Sequence, residues 1–184
     1  MKNYKLKSKS QINSITINEI KTFLKIDGNE EDPLILELIK TAESLAEKYT
    51  SRSLLTQTWE LIVSHCDESI RRRFIKLNKP PIQKILNFKI YNSFSERIIN
   101  SNEYFLDNDE LIFHNAEIAL NQNLKIEFQS GYGDLPSSIP EPIKHCLKLC
   151  VAQFYENRRG EEVLSEGCKV ILNQYRDWSN IFLG

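Results

Sequence analysis

The chain contains no apolar run approaching the roughly 20 residues that a membrane-crossing helix needs. Its basic opening, Lys2, Lys5, Lys7 and Lys9, is followed by polar residues from Ser8 to Ser14, where a secretory signal would put its apolar stretch. A signal peptide and a membrane partner are therefore not expected, and the chain is expected to stay in the cytoplasm where it is made. Charge of one sign is also missing: 24 basic side chains face 25 acidic ones, for a net charge of −1. That balance argues against a dedicated nucleic-acid binder, which relies on clustered Lys and Arg to meet phosphates.

The usual reactive constellations are absent as well. The four cysteines, Cys66, Cys146, Cys150 and Cys168, form no C-x-x-C pair. Cys146 and Cys150 share a helical face but lack partners in motif spacing; they read as small buried apolar side chains, with a metal half-site as the alternative. There is no G-x-S-x-G or H-E-x-x-H pattern. His65, His114 and His145 each stand without a partner motif. Asp107, Asp109 and Glu110 could mimic a metal site but read as solvated residues of a turn. Gly131-Tyr132-Gly133-Asp134 lacks the spacing and the lysine of a phosphate loop. No internal repeat is evident. No catalytic site, cofactor or metal is expected.

What remains is an ordinary globular chain. At 184 residues, with 41% hydrophobic and 27% charged residues, it suits one domain or one domain with an inserted lobe. It can bury a core without disulfides.

Residues 1–14 are polar and aperiodic and read as a flexible basic arm. Thr16 and Glu19 have capping-box spacing, and Ile17, Ile20, Phe23 and Leu24 follow at helical spacing, so a helix is expected near 16–26. Asp32 as N-cap and Pro33 as first helical residue open a second helix, 32–50. Leu34, Ile35, Leu38, Ile39, Ala42, Leu45, Ala46 and Tyr49 form its apolar stripe, opposite Glu37, Lys40, Glu43, Glu47 and Lys48. Residues 56–130 change period: Trp59, Leu61 and Val63 alternate with polar positions, Pro80-Pro81 marks a bend, 82–91 reads as a strand, and Asn108-Asp109 as a hairpin turn. The period returns to helical in 141–158, with Ile143, Cys146, Leu147, Cys150, Val151, Phe154 and Tyr155 inward, and in 167–178.

The expected fold is therefore α+β. A bundle of about four helices, from 15–55 and 138–178, carries an antiparallel β insertion at 56–130; residues 179–184 form a tail.

Two features stand out as candidate contacts. Arg71, Arg72 and Arg73 form the one internal basic run; it is a charged turn, or it touches a partner or DNA phosphates. Tyr175, Trp178, Ile181 and Phe182 recur at three-to-four spacing near the chain end. Either this segment packs on its own domain or it docks on another chain, and aromatic anchors are what interface centres favour.

The order of segments resembles the head–tail connector, or adaptor, family of tailed phages and gene transfer agents. The resemblance rests on AEKYTSRSLL at 46–55, TQTWE at 56–60, Pro80-Pro81, GYGD at 131–134, PEPI at 140–143 and FYENR at 154–158, taken in order over about 15–178. The family usually has glycine where this chain has Ser51. The resemblance implies a non-enzymatic virion protein made in the bacterial host cytoplasm and resident at the head–tail junction. It implies a ring of about twelve copies, a closed cyclic arrangement, beneath the portal protein. Such a ring extends the DNA channel, passes double-stranded DNA without sequence specificity, and offers a platform to a stopper or tail-completion protein. It also implies that the carboxy-terminal residues Tyr175, Trp178, Ile181 and Phe182 reach the portal, and that Arg71–Arg73 face a neighbouring subunit or the channel. The alternative is a cellular nucleic-acid-binding regulator that uses the arginine cluster.

Overall fold

The computed structural model describes residues 2–65, 67, 73–114, 122–157 and 163–178. Contacts divide the chain into two compact units, one of Met1–Lys9 with Thr56–Gly131, the other of Ser10–Leu55 with Tyr132–Gly184.

The second unit is helical. Among the described residues it holds α1 (Ile17–Leu24), α2 (Asp32–Thr50), α3 (Glu141–Glu156) and α4 (Glu166–Asn173). Helix α1 starts where the sequence places it: the Glu19 N–H donates to Thr16 Oγ1 at 3.2 Å, and Thr16 N–H donates back to Glu19 Oε2 at 2.9 Å. The reciprocal pair satisfies two of the donors that a helix start leaves open. The helix stops at Lys25, in the left-handed region, three residues ahead of Gly28. Helix α2 begins one residue earlier than expected, with Glu31 at the cap position and no side-chain cap. Asp32, expected as that cap, instead receives Lys21 Nζ at 2.9 Å.

The apolar stripe of α2, from Ile35 through Ala46, packs on Ile143, Cys146, Leu147, Cys150, Val151 and Phe154 of α3; Ile20 of α1 and Leu172 of α4 complete this core. One residue assigned to the solvent face is buried. Glu43 is only 4% exposed, because its carboxylate accepts the Ser14 N–H. A backbone donor entering the core needs an acceptor, and the glutamate supplies it.

Among the described residues the first unit holds eight strands. A five-stranded antiparallel sheet has the order β1 (Lys2–Lys9), β2 (Gln57–Val63), β8 (Asn123–Ser130), β4 (Ile82–Tyr91), β5 (Glu96–Ile98). A second sheet has the order β3 (Phe74–Lys76), β7 (Glu110–Phe113), β6 (Tyr104–Asp107). Strict alternation of buried and half-buried residues along β8 puts Leu124, Ile126 and Phe128 inward. They share one core with Leu61 and Val63 of β2, Phe88 and Ile90 of β4, and Ile75, Leu111 and Phe113 of the second sheet. Phe88 sits edge-on to Tyr104, with ring centroids 5.5 Å apart. Pro80-Pro81 precedes β4 and is cis. Asn108, left-handed at φ 53°, makes the expected turn between β6 and β7.

The opening segment is a correction. Residues 2–9, expected as a flexible arm, form β1, paired with β2 from Lys2↔Val63 to Lys9↔Gln57. Without β1, the outer edge of β2 would present unpaired N–H and C=O groups to solvent. Tyr4 turns inward against the β core, its hydroxyl donating to Lys76 O at 3.3 Å and accepting from Asn78 N–H at 3.1 Å. The lysines between are the side chains that keep an edge strand from recruiting another chain.

Candidate interaction site

Arg73 immediately precedes β3. Its backbone is left-handed at φ 63°, its carbonyl accepts the Phe113 N–H at 2.9 Å, and its side chain is exposed. Arg71 and Arg72 lie outside the described residues.

In the same unit, β2 carries an ion-pair triad. Glu60, 7% exposed, receives Lys125 Nζ from β8 at 2.9 Å and faces Lys7 Nζ of β1 at 3.7 Å. The Lys125 hydrogen bond holds the Glu60 carboxyl below the ordinary carboxylate range and outweighs the opposite push of burial; Lys7 and Lys5 add to it. Elsewhere, Asp109 of the β6–β7 turn pairs with Lys76 at 3.1 Å, so it is a structural partner within the turn.

The carboxy-terminal segment departs from the expected helix 167–178. Ser165 caps α4 by accepting the Cys168 N–H at 3.3 Å, and the helix ends at Asn173. The chain then turns back onto α2. Tyr49 OH donates to Asn173 Oδ1 at 2.7 Å, Arg52 Nε donates to the Tyr175 carbonyl, and the Asp177 N–H donates to the Thr50 carbonyl at 2.8 Å. That carbonyl belongs to the last turn of α2, where carbonyls lack intrahelical donors. Tight turns after Asn173, with Tyr175 N–H donating to Leu172 O and Arg176 N–H to Asn173 O, lead the chain there.

Tyr175 packs against the helical core, and Asp177 is buried. The Arg176 guanidinium lies 5.0 Å from the Tyr49 ring centre and 4.8 Å from that of Trp178. Trp178 is 48% exposed. Tyr175 and Trp178 therefore do not share a face of α4: the tyrosine belongs to the fold and the tryptophan faces solvent. Ile181 and Phe182 lie outside the described residues.

The histidines are separated by role. His65 Nδ1 is 3.4 Å from Asn123 Oδ1, His114 lies against Phe105 with centroids 5.6 Å apart, and Phe23 meets His145 edge-on at 6.4 Å. Cys146, Cys150 and Cys168 are buried free thiols, and the Sγ atoms of Cys150 and Cys168 are 3.8 Å apart. Hydrogen bonding with Cys168 and burial push the Cys146 and Cys150 thiols up, away from the reactive thiolate. Cys66 is outside the described residues. Among the described residues, no group of three or more His, Cys, Asp or Glu could hold a metal ion. No helix among them is long and apolar enough to cross a membrane.

Sequence reasoning missed Phe94, at the tip of the β4–β5 hairpin, the most exposed large apolar side chain among the described residues. It stands in a polar stretch with no periodicity to mark it. The lone signal was an aromatic between two serines after an asparagine.

A family model described as "Head completion protein" matches residues 13–177. No curated protein matches the chain. Solved structures share the fold. A chain from the virion of a native gene transfer agent particle is 18% identical, with 94% of each chain covered and a TM-score of 0.77. A chain from the neck of an empty gene transfer agent particle, computed with C6 symmetry, is 16% identical, with 95% of each covered and a TM-score of 0.76. A third, from the neck of a native particle computed with C12 symmetry, is 16% identical, with 94% of each covered and a TM-score of 0.71.

Proposed function

The chain belongs to the head completion protein family, the head–tail connector proteins of tailed phages and gene transfer agents, and from that premise we propose that it works as one subunit of a ring beneath the portal. The observation that carries this reading is the family match, which spans the helical unit and the β unit together. The chain is a structural virion protein. The ring extends the DNA channel and presents its far face to the stopper or tail-completion protein. The C12 symmetry with which a neck of the same fold was computed supports a ring of twelve copies.

Closed rings are made by heterologous contacts, in which two different patches of the same subunit meet. A subunit through which a genome slides has to avoid gripping it, and the near-zero net charge suits that need. Arg71–Arg73 contact a neighbouring subunit or line the channel. The segment that begins at Trp178 and runs on through Ile181 and Phe182 docks on the portal. Tyr175 holds the base of that segment on its own domain.

The reading is tested by adding the purified chain to heads that carry the portal but lack the connector. Electron microscopy should show a ring of added density below the portal, and duplex DNA should bind the free chain weakly. A chain that stays monomeric on such heads, and binds a defined DNA sequence with a steep salt dependence lost in an Arg71–Arg73 to alanine variant, would establish the regulator in its place.

A further inference from the structure

The two sheets of the β unit face each other across one core and end in four edge strands: β1 and β5 in the first sheet, β3 and β6 in the second. An edge strand carries unpaired N–H and C=O groups, so each edge has to be managed. Among the described residues, two of the four are managed within the chain. At β3, the Lys76 carbonyl accepts Lys2 Nζ and Tyr4 OH from β1, each at 3.3 Å. At β5, Glu96 pairs with Lys89 and Arg97 with Glu103, so both charges of that strand are satisfied.

The other two edges keep charges without ion-pair partners among the described residues, and their signs are opposite. On β1, Lys5 is exposed and stands across from Glu60, but that carboxylate is taken by Lys125 and Lys7. On β6, Asp107 is exposed and stands across from Glu110. Lys76, which opposes Glu110 from β3, goes instead to Asp109. Like charges set directly opposite across two strands destabilise a sheet. The two edges also lie at opposite margins of the unit. Strand β1 reaches over to β3, and β6 is at the far end of the order β3-β7-β6.

We propose that β1 of one copy adds to the open edge of β6 on the next copy, with Lys5 beside Asp107. The proposal rests on the ring reading above and names the contact that propagates the ring. The occupant is a second copy because the two edges are complementary in charge and lie at opposite margins. A contact between two different patches repeats from copy to copy. Lysines on β1 repel a second β1, and an acidic edge removes that bar, so the charges select the unlike edge. Side-chain alternation completes the match. With Lys5 and Asp107 on one face, Leu6, 42% exposed, comes beside Leu106 on the face that packs on the β core.

The test uses two charge reversals on portal-bearing heads. Chains with Lys5→Asp alone, or Asp107→Lys alone, should keep their circular dichroism spectra and lose ring formation by at least about tenfold, because each sets like charges at every contact. An equal mixture of the two should form rings again, since every contact between unlike chains then pairs a cation with an anion. In parallel, Lys5→Cys and Asp107→Cys chains are assembled together and mildly oxidised. Peptide mapping should find a disulfide joining the two substituted positions across copies; this cross-link decides the matter should either reversal fail to fold. Normal rings from both single reversals would overturn the contact and leave the ring reading standing. So would a mixture of folded variants that does not recover, or Asp107→Cys chains that cross-link to each other, which marks a symmetric contact. Wild-type protein that forms no ring on portal-bearing heads would sink both readings together.

Discussion

Residues 2–9 and 174–178 lie near opposite ends of the sequence; the first read as a flexible arm, the second as part of a helix with candidate docking residues. Each is instead tied down by an unsatisfied backbone on an element distant in sequence. Strand β1 covers the open edge of β2. The turn at Gln174–Trp178 brings the Asp177 N–H to the last-turn carbonyl of α2. The two differ in what they bring with them. The first is half lysine and contributes one inward aromatic, Tyr4; the second contributes Tyr175, the buried Asp177 and the cation stack of Arg176. The lesson is that backbone vacancies on a core recruit flanking segments whatever their hydropathy, and side chains then set how much each attachment matters.

The sharpest way to break that comparison is truncation. Ending the chain after Asn173 removes the Tyr175 packing and the Asp177 and Tyr175 backbone bonds. A stability loss of about 3 kcal/mol in the helical unit is expected in urea titrations. Ending it after Trp178 should leave the midpoint within about 0.5 kcal/mol while abolishing attachment to portal-bearing heads. Equal stability of the two truncated chains would show that 174–178 is not part of the fold.

Removing residues 2–9 should cost less, about 2 kcal/mol, from the loss of partial Tyr4 burial and of edge pairing. It should also raise aggregation, because β2 then becomes an open edge. Light scattering on the shortened chain measures that directly; a chain that stays soluble and equally stable would return β1 to the status of an arm.

Glu60 sharpens the comparison from inside the β unit, since it ties β1 to β8 through Lys7 and Lys125. Its carboxyl is depressed in the folded state. The stabilisation is therefore fully present above the unfolded carboxylate value of about 4.3 and is lost as pH falls through the lower folded value. Glu60→Gln should cost about 1–2 kcal/mol at pH 7, the scale of a charge-assisted hydrogen bond. The gap between variant and parent should close in denaturation curves taken progressively below pH 4. A gap that persists at low pH would locate the effect in packing.

The smallest expected effect is at Ser51, the residue that ends α2. Its backbone is left-handed at φ 57° and ψ 25°, the conformation glycine adopts without strain. Ser51→Gly should raise stability by about 0.5–1 kcal/mol, read as a shift in melting temperature. A loss on substitution would mean that the serine side chain makes a contact worth more than the backbone strain.

Where these segments stand also explains what was legible beforehand. The helices announced themselves because their signals are local. The Thr16–Glu19 box and the stripes of α2 and α3 all lie within a few residues of the groups they serve. The β unit announced its class through alternation, but not its order β1-β2-β8-β4-β5, since strand pairing joins residues far apart in sequence. Glu43 was misplaced because its partner, the Ser14 N–H, lies 29 residues away. Tyr175 and Trp178 were grouped together, yet Tyr175 packs on the helical core while Trp178 is half exposed, because a spacing of three suggests one helical face only while the helix continues. Phe94 carried no periodic signal at all.

Periodicity, caps and turn residues by themselves determined the α+β class, the start of α1, the inserted antiparallel lobe and its β6–β7 turn. Tertiary structure alone decided that the first residues are a strand, that α4 stops at Asn173, and that a phenylalanine stands in solvent at a hairpin tip. The reason is physical. Local patterns report the conformation a segment prefers, whereas unpaired backbone groups and unfilled core surface arise only once distant elements have met, and they then claim whatever chain can reach them.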